Sequence, residues 1–155
     1  MHFAAVLLAI MSATGVLLSQ PGHIVAWGYN NDGQCVVPAP NEGFAGVAGG
    51  SGHSLGLRSD GVIIAWGANE YGECDVPWPN QGFIAVSGGY HHHLGLKSDG
   101  TIVAWGLNED GQCIVPEPNL CFTAVATGYC HSLGLREDGS IVAWGGKSSR
   151  TMRRA

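Results

Sequence analysis

Ile102-Val103-Ala104-Trp105-Gly106-Leu107-Asn108-Glu109-Asp110-Gly111-Gln112-Cys113 is one copy of a stretch that recurs along the chain. Trp27, Trp66, Trp105 and Trp144 stand at a constant spacing of 39 residues. Gly33, Gly72 and Gly111, then Cys35, Cys74 and Cys113, then His53, His92 and His131 keep step with them. Across the three full periods, residues 27–65, 66–104 and 105–143, 20 of 39 columns are identical. A fixed period of this length means that each unit is one supersecondary element stacked on its neighbours.

Each unit reads as β structure, and nothing from Gly22 to Gly146 reads as a helix. An apolar segment such as Phe83-Ile84-Ala85-Val86 is followed by a Gly-Gly break. His92-His93-Leu94-Gly95-Leu96 comes next, then Ser98-Asp99-Gly100 and Thr101-Ile102-Val103-Ala104-Trp105. The Asp-Gly pairs at Asp60, Asp99 and Asp138 are hairpin signals. On the last strand of a unit, Ile63 and Ala65 point one way and Ile64 and Trp66 the other. Both faces are therefore apolar, and such a small sheet must be covered on both sides. Radial stacking of three- or four-stranded sheets does this and makes a propeller. Gly56, Gly95 and Gly134 are expected to let a neighbouring Trp approach the backbone closely.

Composition narrows the class further. The 155 residues are 45% hydrophobic and only 12% charged, so the chain is neither disordered nor a charged helical rod. Its formal net charge is −5, but all 12 acidic residues lie between Asp32 and Asp138, while Lys147, Arg150, Arg153 and Arg154 crowd the end. Without that tail the body carries 3 basic and 12 acidic groups, or −9. A surface of that sign repels phosphate backbones, so no nucleic acid is expected as a partner. The division expected is residues 1–21, a repeat domain over 22–146, and a basic tail over 147–155, a short solvated end.

Residues 1–21 carry two readings. The apolar run from Phe3 to Ile10, extended to Leu18, with small residues at Ala13-Thr14-Gly15, fits a secretory signal peptide. Alternatively, a shift by 39 places Gly15-Val16-Leu17-Leu18 on Ser54-Leu55-Gly56-Leu57, so residues 14–28 form a degenerate blade hairpin turning at Pro21-Gly22. The first reading makes the protein secreted or cell-surface, the second cytoplasmic. The run is short for a membrane span and is interrupted by Ser12, Thr14 and Gly15, so no span is expected.

The Trp-Gly-x-Asn-x-x-Gly-Gln segment, the His-Ser-Leu-Gly-Leu strand and the Asp-Gly-x-Ile-Val-Ala-Trp-Gly return resemble the regulator-of-chromosome-condensation repeats. The 39-residue period is similar to the compact bacterial branch of that family, and the resemblance covers roughly residues 22–146. It implies an all-β, seven-bladed β-propeller that acts by binding other macromolecules. The chain departs from it in length: it supplies about three blades plus a partial one, an incomplete ring or arc. Truncation or divergence ranks first, and a homo-oligomer completing the ring second.

Columns identical in every repeat are most simply structural, because each copy sees the same neighbours. The Trp series and His53, His92 and His131 belong there. Five cysteines is an odd number. Cys121 and Cys130, confined to the last repeat, are a candidate disulfide if the protein is exported. In the run His91-His92-His93, His91 and His93 share one strand face and His92 takes the other. No Cys-x-x-Cys or His-Glu-x-x-His accompanies it, so no metal and no cofactor is expected. No catalytic constellation emerges, and the protein is expected not to be an enzyme.

Columns that vary between repeats point to contact. Tyr71 stands where other repeats have Asp32 and Asp110, and Trp78 where they have Ala39 and Glu117. Tyr90 and Tyr129 replace Ser51, and His91 and Cys130 replace Gly52. Tyr and Trp are enriched in interface hot spots. Tyr71, Trp78, Tyr90, His91 and Tyr129 are therefore the candidate contact residues of a non-enzymatic protein-binding module or scaffold. A guanine-nucleotide exchange factor for a small GTPase is one alternative, and a carbohydrate-binding propeller is another.

Overall fold

The computed structural model describes residues 5–8 and 22–146; the readings of the remaining N-terminal residues and of the 147–155 tail lie outside it. Among the described residues the chain is all β. Strands β1 (Ala5–Leu8) and β2 (Ile24–Trp27) form an antiparallel pair, with Ala5 opposite Trp27. Three sheets of three antiparallel strands follow: β3 (Phe44–Gly49), β4 (His53–Arg58) and β5 (Ile63–Gly67); then β6 (Phe83–Gly88), β7 (His92–Lys97) and β8 (Ile102–Gly106); then β9 (Phe122–Thr127), β10 (His131–Arg136) and β11 (Ile141–Gly145). These are three propeller blades of an incomplete ring, and β2 occupies the last-strand position of a further, partial one. The partner of β2 is Ala5–Leu8, whereas the strand expected over residues 14–18 falls outside the described residues.

The Asp-Gly pairs do close the hairpins between the second and third strands of each blade. The loop has three residues, Ser59 to Gly61, rather than two: Gly61 N–H donates to Arg58 O (3.0 Å), Arg58 N–H donates to Val62 O (2.8 Å), and Gly61 takes φ +81°. That is a type I turn ended by a left-handed residue, which glycine adopts without steric cost. The aspartate fastens it, since Asp138 Oδ1 accepts Ser140 N–H at 2.8 Å.

Burial follows the two-faced pattern. Ile63, with Ala65 beside it, packs toward the next blade, against Phe83 and Trp105. Ile64 and Trp66 pack the other way, with Phe44 of their own blade and Ile24 of the preceding strand pair. The arrangement repeats one blade on, where Leu94, Leu96 and Ile102 meet Phe122 and Trp144. The close approach at the strand glycines is made by a phenylalanine of the same blade rather than by the expected Trp. A Cβ on Gly95 would lie 2.5 Å from the Phe83 ring and 3.4 Å from Trp105. Polar staples complete each junction: Asn80 Oδ1 accepts the Ile63 N–H (2.8 Å) while its Nδ2 donates to Ile63 O (2.7 Å), and Asn41 and Asn119 do the same for Ile24 and Ile102.

The last blade ends differently. Ile141 is 69% exposed, against 1% and 3% for its counterparts Ile63 and Ile102, because no blade follows it among the described residues. Its apolar face, with Ala124, Ala126, Leu133 and Leu135, is left open.

Candidate functional site

The first strands of the blades, β3, β6 and β9, lie side by side, and their glycine-rich ends open one depression. Glycine is required there because the repeat histidine lies across it: a Cβ on Gly50 would collide with the His53 ring. Tyr29, Ser51, Tyr90 and Tyr129 line that depression.

Four of the five candidate contact residues converge here from two blades and one connection. Tyr90 and Tyr129 stack with ring centroids 4.2 Å apart and 22° between their planes. The His91 ring meets Tyr90 edge-on at 4.2 Å, and Tyr71 reaches His91 from the β5–β6 connection at 4.8 Å. The result is a continuous aromatic strip, Tyr71–His91–Tyr90–Tyr129, whose three tyrosines are exposed. Such a strip offers large amphipathic rings that lose little rotamer entropy on contact. Trp78 is not part of it. It is 91% exposed and sits just before Asn80, which clamps the other end of β5. Tyr29, which the sequence reading left out, belongs to the site; its column reads Tyr, Ala68 and Leu107, the same between-repeat variation that marked the others.

Behind the strip the repeat histidines do not see equal neighbours. His92 Nε2 lies 3.0 Å from Ser132 Oγ, which itself donates to Gln112 O at 2.8 Å, so the imidazole is the donor. His53 has no such hydroxyl, because the corresponding residue is His93, whose ring stands edge-on to it at 4.5 Å. Both nitrogens of His53 and of His93 are buried without a partner. Burial pushes the pKa of His53 down to about 4, against a smaller upward pull from Glu73, and burial also lowers His92 and His93. His131 is exposed on the uncovered last blade. The histidine column is thus one sequence position with three environments. Glu73, fully buried, accepts His91 Nδ1–H at 2.7 Å through Oε1 and Tyr71 N–H at 2.7 Å through Oε2.

The recurrent cysteines are structural. Cys74 and Cys113 each donate their backbone N–H to Asn69 and Asn108 Oδ1 respectively (2.8 Å) and direct Sγ at a loop carbonyl 3.4 Å away. Burial raises both thiols to about 11. The disulfide expected between Cys121 and Cys130 is not formed, and both are free. They flank opposite ends of β9, whose extended residues rise about 3.3 Å each, far beyond the roughly 7 Å a bridge spans.

No helix among the described residues is long and apolar enough to cross a membrane. Comparison with curated proteins finds no match. Among solved structures, Prp20p from Saccharomyces cerevisiae superposes with a TM-score of 0.69 at 20% identity, covering 80% of this chain and 41% of that one. The ectodomain of the Physcomitrella patens receptor kinase CR4 gives 0.66 at 23%, covering 81% and 38%. That of the Arabidopsis thaliana receptor kinase ACR4 gives 0.61 at 24%, covering 82% and 47%. The chain therefore spans less than half the length of these structures. The pattern of the Regulator of chromosome condensation (RCC1) repeat matches residues 44–73, 83–112 and 122–149, more than half of the sequence. With the blades and their repeated Trp, Asn and Asp-Gly devices in place, the chain belongs to the RCC1 repeat family.

Proposed function

We propose that this chain is a non-enzymatic protein-binding module whose contact surface is the tyrosine-lined end of its blades. The observation that carries the reading is the convergence of Tyr71, Tyr90, His91 and Tyr129, each from a column that varies between repeats, into one exposed strip. Hot spots cluster in this way around large amphipathic rings. The acidic body supports a basic protein partner over nucleic acid, through charge complementarity. The test is affinity capture with wild type, Tyr90→Ala/Tyr129→Ala and Trp78→Ala. A partner retained by wild type and Trp78→Ala but lost from the tyrosine variant supports the assignment; equal retention by all three contradicts it.

A second reading is guanine-nucleotide exchange. The Prp20p structure was described with its binding to Gsp1p and histones, and this shorter chain is similar to it in fold. Accelerated nucleotide release from purified small GTPases would support that role. A glycan array reports on carbohydrate binding, for which Trp78 and the exposed tyrosines offer stacking surfaces. The apolar N-terminus supports a secreted or cell-surface location, and N-terminal sequencing of the mature protein tests it.

A further inference from the structure

Three departures from the repeat meet at one point. The middle repeat has Glu73 where the others have Gln34 and Gln112, His91 where they have Gly52 and Cys130, and His93 where they have Ser54 and Ser132. The backbone duty of the first position needs only an amide: Gln34 and Gln112 Oε1 accept Asp32 and Asp110 N–H at 3.0 and 2.9 Å. Glu73 performs the same duty and adds a negative charge at 0% exposure, which costs several kcal/mol unless it is compensated. The Ser-to-His exchange removes the hydroxyl that His53 would have used, as His92 uses Ser132, and leaves both His53 nitrogens buried and unpartnered beside that carboxylate.

We propose that His53, Glu73 and His91 form a binding site for a divalent transition-metal ion, zinc being the ion that their donors suit. One donor atom from each, two imidazole nitrogens and a carboxylate oxygen, lies within 4.8 Å of the other two. A tetrahedral zinc ion with bonds of about 2.0–2.1 Å needs its ligands about 3.3 Å apart, so small side-chain rotations close the site. The ion would neutralise the buried carboxylate and give His53 the partner it lacks. Three protein ligands leave a fourth position to water. His91 carries the site to the aromatic strip through its contacts with Tyr71 and Tyr90.

The test uses the full chain, stripped with a chelator, and titrated with Zn(II) by calorimetry and with Co(II) by visible absorption. Expected are one ion per chain, tetrahedral cobalt bands without a thiolate charge-transfer band, and a higher unfolding temperature with zinc. Glu73→Gln and His91→Gly install residues that the same columns carry elsewhere in the chain, so the blades are retained. Each is expected to weaken binding by about 100-fold or more. Absence of stoichiometric binding, a thiolate band, or affinity unchanged in both variants would overturn the proposal.

Discussion

Trp27 and Trp105 occupy the same column, and truncating each to alanine separates blade stacking from intrinsic strand preference. Trp105 is 5% exposed, packs among Leu55, Leu57, Ile63 and Phe83 of its own and the preceding blade, and donates Nε1–H to Glu73 O at 3.0 Å. A tryptophan buries roughly 150–250 Å², worth about 4–6 kcal/mol at ~25 cal/mol per Å². Truncations of this kind cost about 3–5 kcal/mol, and the orphaned carbonyl adds about 1. Trp105→Ala should therefore cost about 4–5 kcal/mol, much of the stability of a domain this size. Trp27 is 48% exposed. With half the area buried, Trp27→Ala should cost about 2–3 kcal/mol. Urea unfolding followed by far-UV circular dichroism measures both, and loss of the folded baseline in Trp105→Ala counts as the large effect. Costs equal to within about 1 kcal/mol would refute the claim that the energy resides between blades.

Cys121 adopts φ +62° where the corresponding Gly43 and Gly82 adopt +78° and +75°; Cys121→Gly should relieve left-handed strain and stabilise the protein by about 1 kcal/mol in the same assay. Ile141→Ser, on the uncovered last face, should change stability by no more than about 0.5 kcal/mol and reduce self-association in light scattering, whereas Ile102→Ala should cost about 2–5. In metal-free protein, His53 is neutral when folded and has a pKa of about 4, against 6.5 unfolded, so the unfolded chain binds the extra proton. Its contribution is therefore complete above pH 6.5 and lost as pH falls toward 4. A melting temperature that stays level from pH 7 to pH 4.5 would contradict this burial.

The period made the blades legible because identical columns meet identical backbone: the Asp-Gly hairpins, the two-faced third strand and the inter-blade Trp follow from residue types alone. What escaped the sequence depends on the next blade rather than on the repeat. His53, His92 and His131 differ because position 93 is histidine, position 132 is serine, and nothing described covers the last blade. The ring lying on Gly95 is Phe83 because the bulge at the start of β6 sets Phe83 opposite Lys97 and Ala85 opposite Leu96, a register detail with no signature in the pattern. The same between-repeat variation that singled out Tyr90 and Tyr129 also marked Tyr29, Glu73 and His93. Their relevance emerged only when adjacent blades brought them together. Trp78 satisfied that criterion and still lies apart, because its connection has crossed to the opposite end of the sheet.

The most direct test of the binding assignment is quantitative capture from the native source, comparing the wild-type chain with Tyr90→Ala/Tyr129→Ala after both are shown to unfold at the same temperature. The recovered protein is then titrated against each. The account predicts a partner whose affinity falls at least about tenfold in the double variant, since each lost hot-spot ring is worth upwards of ~1 kcal/mol. Undiminished affinity in the variant would contradict it and move the contact surface away from the tyrosine strip.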